Sequence, residues 1–171
     1  MEIIIIVLAI LQAMAISLGV GSSTIAILNF FVAISDGKIS PEERNIMGIT
    51  YTVLRVSMVV ILLTTFVLAL LNMQTYTASY FTDYKIAVWT LIFVLFLNAF
   101  LMTKHIMPST FGPALQAGTW YTLGTITALL SLNLDNFTYF QFIVGYFAAL
   151  SLAVGLVNGV MHYLKNKKTT Q

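Results

Sequence analysis

The chain has 171 residues, of which 59% are hydrophobic and 8% charged, with a mean hydropathy of +0.94 and a net charge of +2. An ordinary soluble domain carries about a quarter charged residues, so these proportions exclude a water-soluble fold and give no basis for nucleic-acid binding. Cysteine is absent, which removes disulfides, thiolate metal sites and a cysteine nucleophile.

The sequence predicts an all-α, polytopic membrane protein, a single helical domain over residues 1–171 with five transmembrane helices. The first apolar run covers about residues 3–34, long enough to cross a hydrocarbon core of about 30 Å with tilt or overhang. The small-x-small triplet at 13–15 looks like a signal-peptide cleavage site, but no Lys or Arg precedes it and Glu2 has the wrong sign, so the run is expected to stay as a span. Stepping alternately three and four residues along it gives Gln12, Ala15, Gly19, Ser22, Ala26, Asn29 and Ala33, all small or polar. Such a seam lets helix backbones approach closely, and its period near 3.5 predicts left-handed packing with the first span at the centre.

"SDGKISPEER", residues 35–44, reads as the turn that follows. Ser40, Pro41 and Glu43 carry the signature of a capping box that starts the next helix. A calcium loop is excluded here, because its first and third ligand positions would fall on Val32 and Ile34, which offer no side-chain oxygen.

The second span covers about 46–71 and contains Arg55. The polar stretch after it places Tyr76, Tyr80 and Tyr84 four residues apart, the pattern of an interfacial tyrosine belt. The third span, about 86–103, is bulky nearly throughout and is expected at the periphery. "KHIMPSTFGP" ends it, since proline cannot continue the hydrogen-bond ladder. The fourth covers about 114–132 and the fifth about 139–164. Gly145, Ala148, Gly155 and Gly159 of the fifth form a small face, and the first and fifth spans are expected to pack against each other or a shared cavity.

With the N-terminus outside, Lys38, Arg44, Lys104, Lys165, Lys167 and Lys168 fall inside and only Lys85 outside. This bias predicts N-terminus out and C-terminus in.

Counted from the same side, Asn29, Arg55, Asn98, Thr119, Thr122 and Asn158 fall at about 8 to 14 Å depth, so one polar group or more from each span is expected in a common inward-facing layer. No Asp or Glu lies within a span. Arg55 therefore either snorkels to headgroup phosphates or faces Ser22, Ser23 and Thr24 across the first hairpin, as a site for an anionic or carbonyl-bearing ligand. The candidate ligand-binding set is Arg55, Asn29, Ser22, Ser23, Asn98, Thr122 and Asn158. The missing carboxylates also argue against a proton-coupled pump or a divalent-cation path.

His105 and His162, at span ends, offer haem ligation as an alternative; no other cofactor or metal is implied. Ser22 and Ser23 lack both the GxSxG motif and an adjacent histidine, so no catalytic residue is assigned and the chain reads as a non-enzyme.

"LGVGSST", "DGKIS" and "YTVLRVSMV" together resemble small five-span bacterial integral membrane proteins of unassigned function. The resemblance implies a bacterial or archaeal cytoplasmic membrane and adds no binding residue. The expected function is a small transporter or binding subunit with a polar, inward-opening cavity. It would be surrounded by the lipid bilayer and open to self-association or a membrane partner. The alternatives are an accessory or structural subunit of a membrane complex and a haem-binding redox protein.

Overall fold

The computed structural model describes residues 2–36, 40–75, 82–107, 111–134 and 136–169. The regular structure among them is entirely helical, in the order α1 (Glu2–Asp36), α2 (Pro41–Thr75), α3 (Asp83–Thr103), α4 (Phe111–Ser131) and α5 (Tyr139–Thr169). Four of these helices, α1, α2, α3 and α5, are long and apolar enough to cross a membrane, which fits a multi-pass membrane protein.

The helix ends follow from local chemistry. At α2, the Glu43 N–H donates to Ser40 Oγ (3.1 Å) and the Ser40 N–H donates to Glu43 Oε2 (2.8 Å), the reciprocal pair of a capping box. Thr138 and Gln141 repeat the device at α5, at 2.9 and 3.3 Å, a signature not singled out in the sequence. Asp83 Oδ2 accepts the Tyr139 N–H at 3.1 Å, so one carboxylate lies beside the positive ends of both α3 and α5. At the other end of α3, His105 adopts φ 55°, and the His105 and Ile106 amides donate back to Met102 and Leu101 carbonyls. Asn133 closes α4 in the same way with φ 56°. Both are left-handed C-terminal caps.

Cross-helix pairs give the direction of each element. Gln12 Nε2 donates to Thr65 Oγ1 (2.9 Å), while Ser23 and Ala26 share a cavity with Tyr51 and Arg55, so α1 and α2 are antiparallel. Asn98 near the end of α3 meets Gly112 and Gln116 at the start of α4, which makes α3–α4 antiparallel, while Asp83 and Thr90 early in α3 both meet Tyr139 at the start of α5, which sets α5 parallel to α3 and antiparallel to α4. The bundle is an up-and-down array, and Arg44, Lys104 and the final turns of α5 lie at one end of it.

α4 is the axis of this array. It packs against α1, α3 and α5, and Gln116 to Trp120 are buried at five successive positions, which sample every side of a helix with 3.6 residues per turn. The first span was expected at the centre, and it does pack on α2, α4 and α5, but its outer face is open. Trp120, Ile61, Leu91, Ile92, Leu95 and Leu123 are the largest apolar side chains sealed in the core. α3 presents one face to it through Leu91, Leu95 and Asn98, while Phe93 and Phe100 stay exposed.

The seam of α1 is a packing surface. Ala15, Gly19 and Ser22 are buried, and Gln12, Ala26 and Asn29 are half-buried; the Ala33 side chain lies outside the described residues. The small face of α5 behaves differently. Gly145, Gly155 and Gly159 have open space where a Cβ would stand, and Ala148 is exposed. α5 instead meets α4 at Gly118, where a Cβ would lie 2.9 Å from Leu150 Cδ2. Of the expected tyrosine belt, Tyr84 is half-buried against the core, while Tyr76 and Tyr80 lie outside the described residues, as does Lys38.

Candidate functional site

A cavity of about 220 Å³ lies where α1, α2, α3 and α4 converge. Ser23 and Ala26 line it from α1, Tyr51, Leu54, Arg55 and Met58 from α2, Ala99, Met102 and Thr103 from α3, and Pro113 and Gln116 from α4. The convergence is local in origin. The Met102 side chain lies where a Cβ on Gly112 would stand, at 2.9 Å from its Cγ, so glycine at this position brings the start of α4 close to the end of α3. Tyr51, Arg55 and Thr103 are exposed and form the rim, whereas Ser23 and Gln116 are buried and form the floor.

The orientation of the floor is fixed by a chain of hydrogen bonds. Asn98, only 1% exposed, donates from Nδ2 to the Gly112 carbonyl and to Gln116 Oε1, both at 2.9 Å. A carbonyl accepts only, so the Asn98 amide must place its nitrogen there, and Gln116 must answer with its oxygen. Gln116 Nε2 is thereby turned toward Met58, whose sulfur it meets at 3.6 Å. A thioether is a weak acceptor, which leaves this buried amide of the cavity lining with donor capacity to spare. Asn98 Oδ1 is itself buried without a partner.

The hydroxyls divide into two kinds. Ser23 donates to the Val20 carbonyl (2.9 Å) and Thr103 to the Ala99 carbonyl (2.8 Å), so both present only lone pairs to the cavity. Tyr51 and Arg55 make no hydrogen bond or ion pair among the described residues. The free donors are therefore the Arg55 guanidinium, the Tyr51 hydroxyl and the Gln116 amide, and no carboxylate lines the cavity.

The remaining sequence candidates fall elsewhere. Ser22 is buried in the α1 seam. Asn29 is half-buried with its Nδ2 enclosed and unpartnered. Thr122 donates to the Gly118 carbonyl at 2.8 Å and lines a second, mostly apolar groove where α1, α4 and α5 meet. Thr119 donates to Leu115 and accepts from Tyr146. Asn158 is exposed on α5 and lines neither cavity. Counting depth from the start of each apolar run does not gather these groups, because α2 begins at Pro41 and Arg55 is level with the last turn of α3 and the first turn of α4. His105 is an exposed cap residue and His162 an exposed residue of α5. Neither lines either cavity, and no group of three or more metal-ligating residues occurs among the described residues.

Tyr51, Met58, Met102 and Gln116 were not singled out in the sequence. Gln116 had a signal, a single amide three residues after Pro113 in a run of small and apolar residues, but its position near a span start reads as an interfacial polar group. Comparison of the chain with family models, curated proteins and solved structures finds no match.

Proposed function

We propose that this chain is a five-span membrane protein, N-terminus out and C-terminus in, that acts as a small binding or transport subunit through the Arg55 cavity. The cavity's donors carry the reading: Arg55 and Tyr51, exposed at the rim and without a hydrogen bond among the described residues, share one space with a buried Gln116 amide whose Nε2 has only a thioether sulfur as partner, a set of donors that suits a ligand with acceptor oxygens. Five crossings are supported by the way the helices run level. From Arg55 to the end of α2, from Ser23 to the start of α1 and along α3 and α4, each element covers about 20 residues or about 30 Å, the thickness of a hydrocarbon core. The basic residues gathered at the cavity end support the orientation.

The test is occupancy. Ala99→Leu places a branched side chain in the cavity without changing charge. Native mass spectrometry of the detergent-purified protein should show a bound small molecule in the wild type and none in Ala99→Leu. An unchanged adduct, or none in either, would sink the reading. A second reading, an accessory subunit of a membrane complex, is favoured by the open glycine face of α5, and cross-linking in native membranes that captures a partner on this face alone would favour it.

A further inference from the structure

We propose that the Arg55 cavity is a boundary site for an anionic amphiphile, with a phosphate or carboxylate held by Arg55, Tyr51 and Gln116 and an apolar body resting on Leu54, Met58 and Met102. This rests on the cavity being a ligand site and adds the chemical class of the ligand, the level at which it binds and the side from which it enters.

The level follows from α3 and α4. Thr103 is the last residue of α3 and Pro113 lies in the first turn of α4, and both line the cavity. With its 21 residues, α3 is about 31 Å long, so it matches a hydrocarbon core end to end. The cavity at its terminus stands at headgroup depth. The stretch of α2 from Pro41 to Tyr51 then projects about 15 Å beyond that boundary.

The direction of entry follows from the rim. Tyr51 and Arg55 of α2 and Thr103 of α3 are exposed around the opening, and α2 and α3 touch each other only lightly, in contrast to the close α1–α2 and α3–α4 pairs. The mouth therefore lies on the flank of the bundle, where the lipid is, as well as toward water.

The chemistry follows from the lining. A cation and two neutral donors, with no carboxylate to neutralise them, select a group with several acceptor oxygens. The guanidinium's planar fork fits a phosphate or carboxylate in bidentate fashion. Ser23 and Thr103, whose protons are committed to backbone carbonyls, add acceptors that tolerate a hydroxyl on the ligand. The rest of the lining is apolar: Leu54, Met58, Met102, Ala26, Ala99 and Pro113. Methionine side chains adapt to irregular apolar shapes, which suits an alkyl chain or a flexible apolar body. A freely soluble inorganic anion would leave this apolar lining without a complement.

The experiment compares retained ligand by native mass spectrometry in mild detergent after incubation with phosphatidylglycerol or diacylglycerol of identical acyl chains, and separately measures thermal stabilisation by inorganic phosphate. The wild type should retain phosphatidylglycerol over diacylglycerol, which lacks the phosphate, by at least about tenfold, the scale of a lost charge-assisted hydrogen bond. Arg55→Gln and Tyr51→Phe should reduce that preference, while Arg44→Gln, which removes a cation outside the cavity, should keep it. Ala99→Leu, which leaves Arg55 in place, should lose the lipid by exclusion and serves if Arg55→Gln does not fold. Equal retention of the two lipids, or equal losses in Arg55→Gln and Arg44→Gln, would overturn the proposal. Arg55-dependent stabilisation by inorganic phosphate without lipid retention would overturn the amphiphile while leaving the cavity a ligand site, and the absence of any Ala99-sensitive adduct would overturn both.

Discussion

Gly19 of α1 faces the indole of Trp120 on α4 so closely that a Cβ at position 19 would lie 2.5 Å from two carbons of the ring. Trp120 is completely buried, and its ring has no free volume to retreat into in a close-packed core. This pair holds the first helix against the axis of the bundle, and it explains why the seam of α1 must be small there.

Gly19→Ala should therefore destabilise by about 1–3 kcal/mol, the usual range for overpacking. Gly155→Ala is the matched control, since a Cβ there meets nothing within 4 Å. It should leave stability unchanged or raise it by less than about 1 kcal/mol through helix propensity. Thermal melts in detergent decide the matter, and equal shifts for the two variants would remove the close-approach account.

Three tyrosines join neighbouring helices by one device. Thr24, Thr90 and Thr119 each donate to a carbonyl of their own helix, so their oxygens accept from Tyr121, Tyr139 and Tyr146 at 2.6, 3.0 and 2.7 Å. The Thr119–Tyr146 pair is the most enclosed. Tyr146→Phe should cost about 0.5–1.5 kcal/mol, and Thr119→Val in a Tyr146→Phe background should add much less than it does alone. Additive losses in the double-mutant cycle would show that the two hydroxyls are not coupled.

Asn98 and Gln116 form a second coupled pair. Asn98→Leu strips hydrogen bonds from two buried acceptors at once, the Gly112 carbonyl and Gln116 Oε1, and should cost about 1–3 kcal/mol. It should also release the Gln116 amide, so ligand retention should fall together with stability. Gln116→Leu should lower retention as well as stability, because it removes both the Nε2 donor and the Oε1 that accepts from Asn98, and Gln116→Glu, which keeps an Oε acceptor but not the amide donor, should lower retention of an anion further. Retention unchanged in these variants would take the amide out of the site.

Much of this architecture is legible in the residues. Helix positions follow from runs of apolar side chains, the α2 start from Ser40, Pro41 and Glu43, and the packing face of α1 from its alternating small residues. Other parts are not. The small residues of α5 read like those of α1, yet Gly155 and Gly159 point into open space, because a one-dimensional pattern states that a close approach is allowed and not which helix makes it. The central place of α4 is hidden because a span's length and apolar content show that it can cross and not how many neighbours cover it. Within the site, Arg55 shares a cavity with Ser23 but not with Ser22 or Thr24, while Tyr51 and Gln116 join them only through the meeting of α2, α3 and α4. That meeting depends on Gly112 and Asn98, two residues whose partners lie on a neighbouring helix.

Arg55→Lys tests the central claim most directly, because it keeps the charge and removes the planar fork. Lysine reaches headgroups as well as arginine does, so a snorkelling side chain would not register the change, whereas a bidentate contact inside the cavity would. Measured as the amount of anionic ligand retained by the purified protein at fixed ligand concentration, Arg55→Lys should fall by at least about tenfold. Retention and melting temperature equal to the wild type would contradict the account and leave Arg55 as a surface charge at the membrane boundary.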